Sequence, residues 1–436
     1  MDPLLLGALV AIVTILVLFS GIAIANGLLV VSAIFLLIFD GPRSLELLPE
    51  LFFAKLDSFA LLSIPMFIIM GAAISSTRAG ADLYHALELW LTRVPGALLI
   101  SNLGACGLFA AMSGSSPATC AAIGKMGIPE MRKRGYPDSV ATGSIAAGGT
   151  LGILIPPSVT MIVYGVSTET SIGRLFLSGV MPGLLLVALF MVWSIYSTWN
   201  QGSGEVLKAK SYSWQEKFAS LPKVLPFLAI IIGVLYALYG GVATPSETAA
   251  VGALLCLLIA IIVYRLWSPK LLWNVLRDST KESIMILFII AAAGVFSYML
   301  SSLYITQSIA EYIGTLDVNR WVLMFIINIF LLVAGFFLPP VAVILMAAPI
   351  LLPIITTAGF DPYWFAVVLT INMEIGLISP PVGLNLYVIS GIAPEIPLKT
   401  ILKGSIPYVL CMMLAILILC FFPSIATFLP DMVMGS

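Results

Sequence analysis

Three serines lie together in a short turn-forming stretch of an otherwise apolar region. Ser113, Ser115 and Ser116 occur in the run SGSSP, where glycine and proline favour a turn. Serine hydroxyls and the backbone carbonyls that a turn exposes are hard oxygen ligands, which suit Na⁺ and do not suit soft metals. The alternative is that these small residues only allow helices to pack closely at this point.

A second pattern occurs twice in the chain. Residues 149–158 read GTLGILIPPS and residues 373–382 read MEIGLISPPV, so each contains G-x-x-x-P-P inside an apolar segment. The two copies are 224 positions apart (376 − 152). Two consecutive prolines remove two backbone donors and cannot continue a helix. Matching helix breaks in two halves of a membrane protein point to the ion and substrate site of a transporter.

Residues beside the first break could complete a sodium site with the serine turn. Glycines let backbone carbonyls and the turn approach closely, and a helix that ends at the prolines directs its negative end toward a bound cation. The predicted first sodium site therefore consists of Ser113, Ser115, Gly149, Thr150 and Gly152. Helices that restart after the prolines direct positive ends inward, which favours an anionic substrate near Ser116, Pro156 and Ser158.

The second break offers fewer side-chain ligands. The comparable turn, GFFLPP at 335–340, has no hydroxyl, so a second cation site would rely on backbone carbonyls and on Ser379 or Asn372. Glu374 is an ionisable residue inside an apolar span, which makes it a functional-site hypothesis by default. Its alternative is a structural carboxylate that caps a loosened turn. Asn385 could contact substrate or join helices, and we predict substrate contacts at Glu374, Pro380 and Asn385.

The composition places these residues in a membrane protein. Of 436 residues, 61% are hydrophobic and 9% charged, with a mean hydropathy of +1.12, whereas soluble domains carry about 25% charged residues. The continuous apolar runs do not show the alternation typical of β-barrels. Five cysteines without C-x-x-C spacing and a single histidine, His85, indicate no metal site beyond Na⁺ and no cofactor. We find no catalytic constellation and predict that the protein is not an enzyme.

The apolar runs predict an all-α polytopic protein with ten crossings and two re-entrant hairpins. The hairpins, 96–130 and 321–357, have short arms and turn-forming centres; the alternative is two complete spans each. The predicted crossings are 4–20, 24–40, 58–77, 139–167, 172–197, 221–240, 246–266, 281–303, 363–392 and 400–426.

The basic residues predict the orientation. Arg43, Lys55, Arg174 and Arg320 fall on one side of this arrangement, and the other 16 of the 20 lysines and arginines fall on the opposite side. The positive-inside rule places the larger group in the cytoplasm. Both termini are then periplasmic.

The same list of elements occurs in residues 1–200 and 221–426, joined by a cytoplasmic linker, 201–220. Because each half has an odd number of crossings, five, the halves are predicted to be inverted repeats. The scaffold spans lie within 1–77 and 221–303. A mobile unit comprises the hairpins, the broken spans 139–167 and 363–392, and the closing spans 172–197 and 400–426.

Two short amphipathic segments, 80–94 and 307–320, link the third span of each half to its hairpin. In the first, Leu83, Leu87 and Trp90 recur at helical spacing with Glu88 on the opposite face. Such segments are typical of helices that lie in the membrane interface. They are interpreted either as ordinary loop helices or as arms between the scaffold and the mobile unit.

Taken together, these motifs resemble the large membrane subunit of tripartite ATP-independent periplasmic (TRAP) transporters. The resemblance covers nearly the whole chain. The motifs that carry it are SGSSPAT (113–119), PEM-x-x-x-GY (129–136), GTLGILIPPS (149–158), TPSETAAVGA (244–253), PILLP (349–353) and NMEIGLISPPVGLNLYV (372–388).

The resemblance implies an elevator-type fold like that of divalent anion/sodium symporters and sodium-driven uptake of an organic acid, such as a C4-dicarboxylate or sialic acid. It implies two partners in the bacterial inner membrane system: a small four-span membrane subunit and a periplasmic substrate-binding protein. It places a second sodium site at Gly335, Pro339, Met373, Gly376 and Ser379. Many relatives carry Asp where this chain has Pro339, so no acidic role is transferred there.

Two other classes of function are compatible with the span pattern. An ion channel or a non-transporting membrane scaffold would also be polytopic, without a carrier's exchange kinetics. Nothing in the composition suggests a nucleic-acid partner, because the basic residues lie between the spans or near their ends and form no long basic run.

Overall fold

The structure is a computed structural model that describes residues 2–91, 96–200, 212–315 and 318–435. The first half contains α1 Pro3–Phe19, α2 Ile24–Phe39, α3 Leu48–Leu56, α4 Ser63–Ser75, α5 Ala79–Leu91, α6 Ala97–Ser113, α7 Ser116–Lys133, α8 Asp138–Leu154, α9 Val159–Thr168 and α10 Ile172–Asn200. The second contains α11 Trp214–Tyr239, α12 Pro245–Ile262, α13 Pro269–Ser302, α14 Ile305–Thr315, α15 Arg320–Phe337, α16 Pro340–Thr357, α17 Pro362–Leu377, α18 Leu384–Ile392, α19 Leu398–Phe421 and α20 Ser424–Met434. The predicted all-α class is confirmed.

Length and hydropathy support a polytopic membrane protein. Within the described ranges, eight segments are long and apolar enough to cross a membrane, and a bent pair, Pro42–Leu56 with Phe59–Ser75, would make a ninth. The first two predicted crossings correspond to the shorter helices α1 and α2, of 17 and 16 residues. Each arm of the second hairpin is by itself long and apolar enough to cross a membrane, so the re-entrance of this hairpin stays a prediction.

The predicted helix breaks are confirmed. The first hairpin turns between Ser113 and Ser116, and the second turns between Phe337 and Pro340. Each Pro-Pro pair separates two helices, α8 from α9 and α17 from α18. A capping box begins α12: the Thr244 hydroxyl accepts from the Glu247 amide, and the Glu247 carboxylate accepts from the Thr244 amide.

Several predicted boundaries were wrong. The third span, predicted at 58–77, matches the segment Phe59–Ser75 that ends in α4, but the sequence interpretation left as loop the preceding helix α3, whose segment meets it at a bend of 60°. Helix α13 begins at Pro269 and not near 281, because charged residues lower the hydropathy there without ending the helix. The closing span predicted at 400–426 ends at Phe421, and a further helix, α20, packs against α10.

The helices pack in two sets. The span group, α1–α4 with α11–α13, is joined by contacts of α13 with α2, α3 and α4 and of α4 with α12. The hairpin group, α6–α10 with α15–α19, centres on α8 and α17, which are buried along nearly all their length. Glycine and alanine dominate the α8 sequence, and small residues let α6, α7 and α19 approach it closely.

Helices α5 and α14 lie between the two sets. Helix α5 contacts α6 and α7 of the hairpin group and α11 of the span group, whereas α14 contacts α1, α13 and α16. The predicted polar face of α5 needs one correction. Glu88 is buried, and its carboxylate accepts hydrogen bonds from Arg134 and Tyr212, because the end of α7 packs on that side of α5. Residues 92–95, 201–211, 316 and 317 of the predicted arms and linker lie outside the described residues, and 214–220 belong to α11.

The two halves exchange contacts inside the hairpin group. Helix α7 of the first hairpin packs against α18, which follows the second break, and α16 of the second hairpin packs against α9, which follows the first break. Each hairpin therefore touches the helix that restarts after the other half's Pro-Pro pair.

Candidate functional site

The first hairpin turn lies directly against the first break. Gly114 has φ +57°, and a Cβ built on it would lie 2.9 Å from the Pro157 carbonyl oxygen. On the opposite wall, a Cβ on Gly152 would lie 2.7 Å from the Ser115 carbonyl oxygen. Both glycines are thus required for the contact between the turn and α8. This confirms that Ser115 and Gly152 come together as predicted.

Hydrogen bonds hold the serine turn in shape. The Ser113 and Thr119 hydroxyl oxygens are 2.8 Å apart, and the Thr119 hydroxyl donates to the Ser115 carbonyl at 2.9 Å. Thr119 was missed as a site residue, although its position four residues after Ser115 at a helix start is the signal that could have found it. The turn therefore presents buried hydroxyl and carbonyl oxygens in one place.

The rest of the predicted first sodium site is buried in α8. Thr150 is fully buried, and its hydroxyl donates to the Ala147 carbonyl at 2.7 Å, so its lone pairs remain available to a cation. Gly149 packs its backbone against Cys120 and the Ser116 carbonyl. The donor set of hydroxyls and carbonyls fits Na⁺.

Ser158 has a structural position. It is the N-cap of α9: its hydroxyl accepts from the Met161 amide at 3.2 Å and donates to the Ile153 carbonyl at 2.5 Å. The Ser158 hydroxyl thus uses its one proton and one of its lone pairs to hold the start of α9. Donation of that proton to an anionic substrate, as predicted, would break the hydrogen bond to Ile153.

The chain around the second break contacts the second hairpin mainly by backbone atoms. A Cβ on Gly376 would overlap the Gly335 carbonyl, and the Val382 amide donates to the Phe336 carbonyl at 3.3 Å. The Met373 side chain lies beside Gly335, at 3.2 Å from a Cβ built there. The predicted residues Gly335, Met373 and Gly376 are therefore brought together, and carbonyl oxygens are their main ligands.

Two asparagines add amide groups beside this second contact. The Asn372 side-chain amide donates to the Asn328 side-chain oxygen at 2.5 Å and to the Val368 carbonyl at 2.9 Å. The Asn372 side-chain oxygen is buried and has no hydrogen-bond partner among the described residues. Asn328 was missed because it lies in α15, 44 residues before its partner.

Glu374 directly follows Met373 in α17. It is fully buried, and neither carboxylate oxygen has a hydrogen-bond partner in the part of the chain that the structure describes. The predicted substrate residues Glu374, Pro156, Ser158, Pro380 and Asn385 are not among those that line the cavity described next.

A cavity of about 520 Å³ lies between the two hairpin turns and the span group. Ser113, Ser115 and Ser116 line it on the first turn, and Pro339 lines it on the second. Its opposite wall is formed by α4 and α13. The structure therefore brings both turns, from residues more than 200 positions apart, to one cavity.

The wall on α13 carries polar residues that the sequence interpretation missed. Asn274, Asp278 and Glu282 line the cavity at intervals of four residues on one face of α13, and among the described lining residues the charged side chains are Asp278 and Glu282. The signal was their helical spacing, which was hidden because Asn274 and Asp278 precede the span predicted at 281–303 and Glu282 alone falls inside it. The cavity thus has a hydroxyl-rich side and an acidic side.

The similarity of this chain to known proteins extends over nearly its whole length. The family model described as "Tripartite ATP-independent periplasmic transporter, DctM component" matches residues 10–425. The chain is 39% identical over 403 residues, 92% of each chain, to the C4-dicarboxylate TRAP transporter large permease protein DctM of Pseudomonas aeruginosa. It is 30% identical over 418 residues, 96% of this chain and 97% of the relative, to the sialic acid TRAP transporter large permease protein SiaM of Vibrio cholerae.

A solved structure is similar in fold. The crystal structure of the YdaH transporter of Alcanivorax borkumensis superposes with a TM-score of 0.67 at 16% identity, covering 95% of this chain and 99% of that one.

Proposed function

The chain belongs to the DctM family, the large permease component of TRAP transporters, and we propose that it carries a small organic acid anion by sodium-coupled symport. It is a multi-pass membrane transporter subunit and not an enzyme. The observation that carries the sodium proposal is the contact of the serine turn with α8 at Gly152, which gathers hydroxyl and carbonyl oxygens in one buried place.

The first sodium ion would be held by Ser113, Ser115, Gly149 and Thr150, with Thr119 fixing the turn. A second would use carbonyls around Gly335 and Gly376 with Met373 and Ser379 nearby; Pro339 supplies no acidic ligand. The first site is the stronger candidate, because side-chain hydroxyls add to the backbone oxygens. Na⁺ would supply positive charge beside the substrate carboxylate. The hydroxyls of the turn and the positive end of α9 would also favour binding of that carboxylate.

The anion would bind in the cavity between the two turns. Ser116 lines this cavity together with the first residues of the helices that restart after each break, Val159 and Thr160 of α9 and Leu384 of α18, so the positive ends of these helices lie at its wall. The names of the relatives support C4-dicarboxylates and sialic acid as the classes to test first.

We propose an elevator mechanism in which the span group is the scaffold and the hairpin group, with its closing helices, is the mobile unit. The support is the division of contacts between the two groups and the position of α5 and α14 between them. The two groups also form opposite walls of the cavity, so sliding one past the other would change the access to it. Sodium binding drives transport only if its affinity differs between the two positions.

The remaining proposals follow from charge and family. The excess of basic residues on one side supports a bacterial inner-membrane orientation with both termini periplasmic and inverted halves, 1–200 and 221–426. The tripartite family name supports two partners, a small four-span membrane subunit and a periplasmic substrate-binding protein. On this orientation the cavity, which reaches the ends of α4 and α13, opens to the cytoplasm.

Counterflow tests the proposal against a channel. Proteoliposomes with the small subunit and the binding protein, loaded with unlabelled succinate, should accumulate labelled succinate transiently when Na⁺ is present. Sialic acid is the second probe. Ser115→Ala and Thr150→Val should each lower sodium-dependent uptake while the protein remains folded. Uptake with unchanged sodium dependence in both variants would contradict the first sodium site, and flux without counterflow would support a channel.

A further inference from the structure

Asn385 joins the two halves of the hairpin group by a polar contact. It lies in α18, just after the second break, and it is fully buried. Its side-chain amide nitrogen donates to the Ser116 hydroxyl oxygen at 2.7 Å and lies 3.4 Å from the Ala146 carbonyl oxygen. Both partners belong to the first half of the chain, on α7 and α8. The contact therefore links the second break to the serine turn.

The chemistry of the contact fixes its direction. The Ala146 carbonyl can only accept, so the atom of Asn385 that faces it is the nitrogen. The Ser116 oxygen then accepts from Asn385, and the Ser116 hydroxyl proton is left to point elsewhere. Ser116 is fully buried and forms part of the cavity wall, so the contact with Asn385 lies at that wall. The Asn385 oxygen itself is buried and has no hydrogen-bond partner among the described residues.

The segment that carries Asn385 also touches the second hairpin. We call residues 376–385 the crossover segment. At one end a Cβ on Gly376 would overlap the Gly335 carbonyl, and the Val382 amide donates to the Phe336 carbonyl at 3.3 Å. At the other end Asn385 reaches the first hairpin at Ser116. Ten residues of chain thus contact both turns, one by backbone and the other by a side chain.

The residue of the first half that corresponds to Asn385 is apolar. With the offset of 224 positions that relates the two breaks, Asn385 corresponds to Met161 (385 − 224), an apolar residue in α9. The reciprocal packing of α9 on α16 therefore lacks this asparagine. The contact of Asn385 with Ser116 thus has no copy at the corresponding position of the first half, Met161.

We propose that Asn385 is a positioning residue that couples the occupancy of the first sodium site to the crossover segment and the second hairpin. This inference rests on the proposed sodium site. A cation bound by the serine turn would hold Ser116 in one position. The hydrogen bond from Asn385 to Ser116 would then restrict the motion of residues 376–385 as well. By linkage, whatever binds at the second break would then favour sodium at the first.

Hydrogen–deuterium exchange of the purified full chain tests this without a transport assay. In wild type, Na⁺ compared with choline should slow exchange in peptides covering 113–119 and in peptides covering 376–387, by about fivefold or more at the slowed amides. In Asn385→Ala, protection of 113–119 should remain, and protection of 376–387 should fall below about twofold. Ser116→Ala removes the acceptor from the other side and should give the same loss in 376–387, which covers the case in which Asn385→Ala does not fold.

Asn102→Ala is the matched control. Asn102 is also fully buried, donates to Met131 and to the Ser144 hydroxyl, and has an unpartnered oxygen, but all its contacts lie within the first half. It should keep sodium protection of both regions. Retained protection of 376–387 in Asn385→Ala, or its loss in Asn102→Ala as well, would overturn the coupling role. Absence of sodium protection at both regions in wild type would instead refute the sodium site, and this inference would fall with it.

Discussion

Gly152→Ala directly perturbs the contact that defines the first sodium site. The new Cβ would lie 2.7 Å from the Ser115 carbonyl oxygen, 2.8 Å from its carbon and 3.0 Å from the Ser116 nitrogen. All three are backbone atoms, so no side chain can rotate away. Ordinary contact begins at 3.4 Å, so the turn must retreat by about 0.7 Å (3.4 − 2.7).

The magnitude follows from the cost of overpacking. Inserting a methyl group into a well-packed site costs about 1–3 kcal/mol. If the strain is relieved by moving the turn, that cost falls on the sodium-binding geometry, and the half-saturating Na⁺ concentration should rise about 5- to 150-fold. Substrate affinity at saturating Na⁺ should change less, because the cavity wall is formed by several other elements.

Two measurements with matched controls decide the outcome. Sodium-dependent uptake gives the half-saturating concentration, and sodium-dependent thermal stabilisation gives binding without transport. Gly391→Ala in α18 and Gly233→Ala in α11 are the controls, since a Cβ on either glycine meets nothing within 4 Å. Each should leave sodium dependence unchanged and keep or raise stability, by up to about 1 kcal/mol. A wild-type sodium response in Gly152→Ala would refute the proposed contact between turn and ion.

Three further perturbations test separate parts of the account. Thr119→Val removes the hydroxyl that holds the turn and should raise the half-saturating Na⁺ concentration about fivefold or more; equal uptake curves for variant and wild type would show that the turn holds its shape without it. Arg134→Ala leaves the buried Glu88 carboxylate without its guanidinium and should lower the free energy of unfolding by about 2 kcal/mol in thermal or denaturant assays; Glu88→Leu combined with Arg134→Met should recover most of this loss, and equal losses in single and double variants would speak against the ion pair. Glu282→Gln removes one of the cavity's two carboxylates and should strengthen anion binding from the cytoplasmic side about threefold; a weaker affinity would mean that this carboxylate instead favours a positive group on the substrate.

The breaks in the chain could be predicted from sequence because their causes are local. A Pro-Pro pair ends a helix wherever it occurs, and SGSSP favours a turn, so both hairpin turns and both interrupted spans were located to within a few residues. The capping box at Thr244 is equally local, since four consecutive residues contain the whole interaction.

The features that sequence analysis missed depend on long-range packing. The partner of Asn385 is 269 residues away, and nothing in PVGLNLYV indicates whether its side chain faces substrate or another helix. Glu374 was expected near the cavity from its depth in a span, but the face it occupies on α17 depends on tertiary packing. Asp278 was missed because it precedes the predicted start of the span at 281, and Glu282 was missed because the sequence does not show which face of the span borders a cavity.

The most direct test of sodium-coupled transport is gradient-driven uptake. Proteoliposomes that contain this chain with its small subunit receive substrate-loaded binding protein outside, first with an inward Na⁺ gradient and then with an equal choline gradient, both at constant pH. We expect concentrative uptake of labelled succinate or sialic acid with Na⁺, no accumulation with choline, and a shift to higher Na⁺ concentration in Gly152→Ala. Accumulation driven equally well by a proton gradient in the absence of Na⁺ would contradict sodium-coupled transport.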